Sequence, residues 1–203
     1  MKHVKDGSLL GEEGMDLPWG DEKTIQFITN VGLITTKGPF GDNIMACEWT
    51  HHVSYSPGLI AVCIGPEKAT HVNIQASKEF GVSIASHEQA TLASIAGGST
   101  GREVDKIKAL EKLGYRFYQA KKIDTLMVEE AVLNLECKLF KQILLGSHTM
   151  FVGEVVEASI NRDKIPIAYH HGKYGQVIHN MQKPAQHKRD EISAVIAKYR
   201  KWS

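Results

Sequence analysis

Apolar and polar residues alternate most clearly between residues 132 and 140, where the chain reads VLNLECKLF. Leucine and cysteine take every second position and Asn134, Glu136 and Lys138 stand between them, so the pattern predicts a strand with one face in water. A turn at Leu145-Gly146-Ser147 leads to HTMFVGEVVEASI, a second long strand. Because the connection is short, the two strands are expected to form an antiparallel hairpin.

Three other segments have strand character. TIQFITNVGLITT, from Thr24, is rich in β-branched residues and stops at the turn cluster KGPFG, so it predicts a strand followed by a loop. LIAVCI, from Leu59, is an apolar run bounded by glycines, which is typical of a central strand. FGVSIAS, from Phe80, repeats the strand pattern.

Helical spacing marks four further segments, and Thr70 opens the first of them from a plausible N-cap position. The second ends at the glycine-rich stretch GGSTG. The last is amphipathic and is expected to need a partner surface, such as a second subunit. The four segments are expected to cover 70–76, 88–96, 105–113 and 191–201.

Strands outnumber helices and their connections are local, which predicts a mainly β fold with flanking short helices. The chain of 203 residues is long enough for one complete core. We therefore expect one domain over 1–203, with an N-terminal extension over about 1–22 and a C-terminal helix over about 188–202.

The net charge of the chain argues against polyanionic binding partners. Lys and Arg number 24 against 23 Asp and Glu, and a net charge of +1 provides no excess of basic residues for binding nucleic acid or an anionic membrane. No apolar run approaches the roughly 18 residues of a membrane span, the N-terminus has no leader pattern, and three widely spaced cysteines fit neither a disulfide framework nor a zinc pair. We expect a cytoplasmic protein whose partners are small molecules or proteins.

The segment IGPEKATHVNI is the first that could carry chemistry, because a strand ends there in a Gly-Pro loop before a helix start. Free NH groups and the positive end of the helix dipole favour a phosphate, and Lys68 and Thr70 add a charge and a hydroxyl. An ordinary helix cap beside a solvated lysine is the alternative interpretation.

The segment NIMACEW is the second, because its small residues would let backbone NH groups approach a flat ligand. Met45 and Trp49 could pack against an aromatic ring. Alternatively, both side chains belong to the core of an ordinary strand.

Five blocks in order, GDNIMACEW, SYSPGLIAVCI, KATHVNIQASKEFGVSI, GGSTGREVDK and GSHTMFVGEV, resemble those of the flavin reductase-like, FMN-binding split-barrel family, which includes ferric reductases and flavoredoxins. The resemblance extends from about Asn30 to about Tyr174. It implies a Greek-key antiparallel split β-barrel and a homodimer that holds FMN, or sometimes FAD, near the subunit interface.

The resemblance also implies site residues. His148 would lie near the flavin face where a nicotinamide ring could bind, as the candidate catalytic residue, although a structural histidine at a strand start would look the same. The isoalloxazine ring and ribityl chain would contact Asn43, Met45, Ala46, Cys47, Glu48 and Trp49. The phosphate would contact Lys68, Ala69, Thr70 and Asn73, a closing loop would contribute Ser99 and Arg102, and the pocket wall Tyr169 and Tyr174.

Cys47 and Glu48 depart from the small hydroxyl or amide residues that many relatives carry. A carboxylate beside a reduced flavin would be unfavourable, so we expect the Glu48 side chain to point away or to pair with a cation. The reactivity of Cys47 depends on its exposure and its pKa.

The implied activity is an NAD(P)H-dependent flavin or ferric reductase, and no acid–base pair is expected because the cofactor carries the chemistry. An electron carrier whose FMN is served by protein partners is the alternative. A metal-binding protein is a weaker one, because the neighbouring histidines of His51-His52 and His170-His171 would point to opposite faces of a strand. A structural or interaction protein remains open if the pocket is empty.

Overall fold

A seven-stranded sheet, antiparallel throughout, dominates the computed structural model, which describes residues 15–201. Its strand order is β3-β2-β6-β9-β10-β5-β4. The strands are β2 (Gly32–Thr36), β3 (Asn43–Cys47), β4 (Thr50–Tyr55), β5 (Gly58–Ile64), β6 (Glu79–Ile84), β9 (Leu133–Leu145) and β10 (His148–Ile160).

Two small sheets and four helices flank it. The order β1-β11-β12 makes one small sheet and the hairpin β7-β8 the other. Their bounds are β1 (Thr29–Asn30), β7 (Phe117–Gln119), β8 (Leu126–Val128), β11 (Ile167–His170) and β12 (Lys173–Gln176). The helices are α1 (Ala69–Ser77), α2 (Ala90–Gly98), α3 (Lys106–Lys112) and α4 (Gln186–Lys198), with 3₁₀ turns at Thr24–Gln26 and His87–Gln89.

The two edges of the large sheet meet at the connection between β3 and β4. The amide of Cys63 in β5 donates to the carbonyl of Trp49 at 3.0 Å, and the thiol of Cys47 lies 3.5 Å from the carbonyl of Cys63. The sheet therefore curls back on itself at this corner. The enclosed core is apolar and includes Ile34, Val62, Ile74, Phe80, Val82 and Phe151.

A second core lies on the other face of β2 and β3, where α2 and α3 cover the sheet. Its buried residues include Leu33, Ile44, Leu92, Ala96, Ile107, Leu110 and Ile167. Because β3 contributes to both cores, its backbone is held from two sides while one edge of the strand stays free of ladder bonds.

The structure confirms the mainly β class and most of the predicted elements. The β9-β10 hairpin pairs antiparallel through the turn at Gly146 and Ser147, and α3 begins after Asp105, whose carboxylate accepts from the amide of Lys108 at 3.1 Å. The last helix starts at Gln186, five residues before the helical spacing from 191 and about two before the expected C-terminal helix over about 188–202. None of the helices within residues 15–201 has the length and apolar character needed to cross a bilayer.

Some expectations were wrong. The segment from Thr24 begins as a 3₁₀ turn and becomes a long strand only at Gly32. The N-cap of α1 is Lys68, so Thr70 lies one residue inside the helix. Residues 1–14 of the expected N-terminal extension and residue 202 of the expected C-terminal helix lie outside the described residues.

The predicted wet face of β9 is also wrong at two positions. Asn134 and Glu136 are buried because the β7-β8 hairpin and its loop cover them. Asn134 donates to the carbonyl of Val128 at 3.1 Å, and the Glu136 carboxylate accepts the amides of Lys121 and Lys122 at 2.9 and 2.6 Å. The hairpin covers these side chains, so they bond to its backbone groups in place of water. The alternation of residues along β9 does not show that another element will cover its polar face.

Candidate functional site

The edge strand β3 forms the floor of the candidate site. Its side chains alternate, so that Ile44 and Ala46 pack toward α2 whereas Met45 and Cys47 pack into the core enclosed by the curled sheet. A ligand on the free edge of β3 would therefore meet backbone groups more than side chains.

The start of α1 lies beside the start of β3. Asn43 donates from its side-chain amide to the hydroxyl of Thr70 at 2.8 Å, and both residues are buried. No acidic residue occupies the first turn of α1, and no acceptor is found within residues 15–201 for the amides of Ala69 and Thr70. A helix start with two free NH groups and no carboxylate suits an anion.

The glycine-rich loop after α2 covers this helix start. A side chain at Gly101 would collide with Asn43 Oδ1 and would contact Ala69, so only glycine allows this close approach. Arg102 donates from Nε to the carbonyl of Glu67 at 2.6 Å, and its guanidinium lies 4.6 Å from the centre of the Phe40 ring. These contacts hold the loop against the candidate anion site.

Lys106 is a member of this cluster that the sequence analysis did not single out. Only 3% of the residue is exposed, and its amine donates to the carbonyls of Ala96 and Ser99 at 2.9 and 3.1 Å. Burial, and then the nearby charge of Lys68, lower the pKa of Lys106 to about 8. A lysine at the first position of a helix is usually exposed, so its sequence position carries no signal of burial.

Aromatic side chains form one wall. The rings of Trp49 and His148 lie 4.7 Å apart between centroids, and Trp49 is 48% exposed. The backbone amide of Glu67 itself, then Lys68 and His148, hold the pKa of the Glu67 carboxyl below its usual range. Because Thr149 pairs with Ile64 at the end of β5, the predicted catalytic residue His148 lies beside the loop that precedes the anion site.

Tyr169 and Tyr174 form a second aromatic pair, with 5.4 Å between their ring centroids. Burial, and then the charge of Glu48, raise the pKa of Tyr169; the pKa of Tyr174 is raised by burial, by Tyr169 and by Glu48. The Glu48 carboxylate accepts the indole NH of Trp19 at 3.3 Å. From the sequence we expected Glu48 to point away from the flavin or to pair with a cation. Its observed partner is the indole NH of Trp19, which is a neutral donor.

The structure brings Asn43, the start of α1 and the loop that carries Arg102 together, whereas the side chains of Cys47 and Asn73 are engaged elsewhere. Cys47 packs in the core enclosed by the curled sheet, and burial raises the pKa of its thiol to about 11, so its side chain stays neutral. Asn73 accepts from the amide of Phe40 and donates to Thr36 Oγ1 and to the carbonyl of Gly41. Its side chain is engaged in the β2-β3 turn, and direct contact with a phosphate stays a prediction.

The two pairs of neighbouring histidines differ in their arrangement. His51 and His52 are exposed on edge strand β4. His170 and His171 do not point to opposite faces as predicted: their rings lie 4.3 Å apart, because His171 has a positive φ of 50° in the β11-β12 turn. Across residues 15–201, no group of three or more His, Cys, Asp or Glu side chains is arranged to hold a metal ion.

Comparison with known proteins gives this cluster a context. A family model described as a flavin reductase like domain matches residues 25–177, which include every predicted site residue. The ferric-chelate reductase (NAD(P)H) of Archaeoglobus fulgidus is 32% identical over 113 residues, which cover 56% of this chain and 64% of that protein. The chain spans 63 to 64% of the length of three curated relatives that it matches.

Solved structures agree on the fold. The flavoredoxin of Desulfovibrio vulgaris (Miyazaki F) superposes with a TM-score of 0.70 at 25% identity, covering 85% of this chain and 98% of that one. The NADH:FAD oxidoreductase of Streptomyces globisporus C-1027, in complex with NAD and FAD fragments, gives a TM-score of 0.70 at 21% identity and covers 83% of this chain and 100% of that one.

Proposed function

The chain belongs to the flavin reductase like family, and from that premise we propose that it binds FMN along β3 and reduces it with NADH or NADPH. One observation carries the proposal. The free edge of β3, the uncapped start of α1 and the loop at Gly101 meet around Asn43 and Thr70. A flat ring and a phosphate on one ligand match these neighbouring features.

The residues present fit the phosphate. The amides of Ala69 and Thr70 can donate to it, and the Thr70 hydroxyl keeps a proton to donate because it accepts from Asn43. Lys68 stands at the helix start and Arg102 on the covering loop. The first turn of α1 holds no carboxylate to compete with an anion.

A bound flavin would supply the redox chemistry, with the nicotinamide as hydride donor. The chain's part is positioning. Backbone groups of Met45 to Trp49 would lie along the ring, and their NH groups would stabilise negative charge without a titrating side chain. Tyr169 and Tyr174 would limit the pocket on one side, and Trp49 with His148 would offer an aromatic surface to the nicotinamide.

We further propose that the protein is a homodimer. Phe140, Leu144 and Leu145 on the β9-β10 hairpin are exposed, and the apolar side chains of α4 are exposed as well. Burial of such side chains against a second copy would remove apolar area from water.

A second candidate function is electron transfer between protein partners, favoured by the structural similarity to a flavoredoxin. An absorbance spectrum of the purified protein, reconstituted with FMN and titrated anaerobically with NADH and then NADPH, separates the two functions. Loss of the oxidised flavin bands faster than for free FMN supports the reductase. Bands that persist with both nucleotides but are lost with dithionite support the carrier.

Absence of bound flavin after reconstitution would overturn both functions. Chromatography of the released cofactor distinguishes FMN from FAD. If the cofactor is FAD, the same helix start would bind one phosphate of its pyrophosphate.

A further inference from the structure

A hydrogen-bonded turn presents the indole of Trp19 to solvent. The amide of Asp21 donates to the carbonyl of Pro18 at 3.1 Å, and Gly20 has a φ of 84°, so the four residues form a turn that needs glycine at its third position. The hydroxyl of Thr24 donates to the same carbonyl at 3.0 Å and ties the turn to the chain that follows. Trp19 therefore stands at the second position of a fixed turn, and 80% of the residue is exposed.

This turn reaches Glu48 at the end of β3. The indole NH of Trp19 donates to the Glu48 carboxylate at 3.3 Å, although the two residues are 29 positions apart. Among residues 15–201, no Lys, Arg or His side chain comes within salt-bridge distance of this carboxylate. Glu48 is half-buried, so its charge is only partly hydrated and has one neutral donor as its partner.

Backbone pairing places two tyrosines next to the same corner. Asn30 of β1 donates from its side-chain amide to the carbonyl of Thr50, two residues beyond Glu48, at 2.6 Å, and β1 pairs with β11, which carries Tyr169. The rings of Tyr169 and Tyr174 lie 5.4 Å apart. Burial, and then the charge of Glu48, raise the pKa of Tyr169, which agrees with a carboxylate close to this ring pair.

A carboxylate that has aromatic neighbours and no counter-ion favours a flat cation as its ligand. The faces of indole and phenol rings attract positive charge, and they do so more strongly where water is partly excluded. The carboxylate repels an anion, and a neutral ring gains only stacking. A pyridinium or a related ring spreads a positive charge over a flat surface, so it satisfies both the aromatic rings and the carboxylate.

We infer that Trp19 and Glu48, together with Tyr169 and Tyr174, form a binding site for a flat organic cation at the end of β3. The inference goes beyond the proposed flavin site, because the turn that presents Trp19 precedes residues 25–177, over which the chain matches its family. It also gives a role to Glu48, whose charge would be unfavourable beside a reduced flavin alone.

Two kinds of compound carry such a ring. One is the oxidised nicotinamide: its neutral dihydropyridine ring gives up a hydride, which is a proton with two electrons, to the flavin and becomes a pyridinium cation. The other is a separate cationic electron acceptor of the phenazinium type. In both cases the site binds the cation without forming a bond to it.

Calorimetry of the full-length, flavin-free protein with 1-methylnicotinamide, a cation, and with nicotinamide, its neutral counterpart, tests the site. We expect the cation to bind about tenfold more tightly, because the two rings differ in charge. Glu48→Gln keeps an acceptor for the indole NH but removes the charge, so it should abolish this preference. Glu154→Gln, at an exposed position on β10, should keep it. Trp19→Ala should weaken binding of the cation about threefold, and Trp19→Phe should weaken it less.

Two further ligands identify the source of the ring. Weaker binding of NAD⁺ to Glu48→Gln, with unchanged binding of NADH, would support the site and assign it to the oxidised nicotinamide. Weaker binding of N-methylphenazinium, with unchanged binding of NAD⁺, would support the site and assign it to a separate acceptor.

Equal affinity of the wild-type protein for 1-methylnicotinamide and nicotinamide would overturn this inference and leave the proposed flavin site intact. An undiminished preference for the cation in Glu48→Gln would overturn it as well. Failure of FMN to bind after reconstitution would overturn the proposed function but not the cation site, which is measured without flavin. The wild-type comparison needs no variant, so a variant that does not fold leaves the test decisive.

Discussion

Asn43 and Thr70 are 27 positions apart in sequence, and the side-chain amide of Asn43 donates to the Thr70 hydroxyl at 2.8 Å. The bond joins the edge strand β3 to the first turn of α1. Asn43 Oδ1 is buried there and has no hydrogen-bond partner among residues 15–201. The two elements of the proposed flavin site are therefore locked together by one buried polar pair.

Asn43→Ala should weaken both folding and FMN binding, because it leaves the Thr70 hydroxyl buried with one partner fewer. We expect the free energy of unfolding to fall by about 1–3 kcal/mol. Urea unfolding of Asn43→Ala, Thr70→Val and the double variant measures the coupling. Additive losses from the two single variants would show that the bond does not tie strand to helix.

Lys68→Ala should weaken FMN binding about threefold to tenfold and leave riboflavin binding unchanged, because a half-exposed lysine acts on the phosphate alone. Lys112→Ala, which removes an exposed lysine from the end of α3, is the matched control. Fluorescence titration of the apoprotein with each flavin provides the comparison. Equal losses of affinity for FMN and riboflavin would contradict the placement of the phosphate at the start of α1.

Arg102→Ala should loosen the loop that covers the helix start, since it removes the bond to the Glu67 carbonyl and the contact with Phe40. We expect amide hydrogen exchange over residues 97–104 to accelerate about tenfold without flavin. Arg116→Ala removes a different exposed arginine, paired with Glu129 at 2.6 Å, and should leave this exchange unchanged. The same acceleration in both variants would point to a general loss of stability.

Glu136→Ala should destabilise the protein by about 2–4 kcal/mol, because two backbone amides in the β7-β8 loop lose a buried carboxylate. Glu136→Gln keeps one acceptor oxygen and should lose less. Glu154→Ala, an exposed glutamate on β10, is expected to change the unfolding free energy little. Guanidinium unfolding measures the free energy of unfolding of the three variants. Equal values for all three would contradict the stabilising role of the buried Glu136 carboxylate.

Cys63 should be the first thiol to react with a disulfide reagent at pH 8. Burial raises the pKa of Cys47 to about 11 and that of Cys137 to about 12, whereas Cys63 is only half-buried. Thiolate is the reactive form, so the native protein should show one fast thiol and the unfolded protein three. Cys63→Ser should abolish the fast reaction, and early labelling of Cys47, located by mass spectrometry, would contradict its burial.

Local pattern was sufficient for much of the fold. The β9-β10 hairpin with its short turn at Gly146 and the helix that begins near Asp105 are decided by neighbours in sequence, and the structure confirms both predictions. The order of five short sequence blocks was sufficient to identify the family, and the family match over residues 25–177 confirms that identification. These features depend on contacts within a few residues or on sequence order, so one chain contains the information.

Only the tertiary structure decided which polar groups are buried. Periodicity shows which face of a strand a residue takes, but the β7-β8 hairpin decides that Glu136 meets backbone amides in place of water. In the same way, packing of α3 on α2 buries Lys106, and the turn at His171 brings two histidine rings together. Burial is a relation between elements distant in sequence, and their approach sets the charge and the hydrogen bonds of the candidate site.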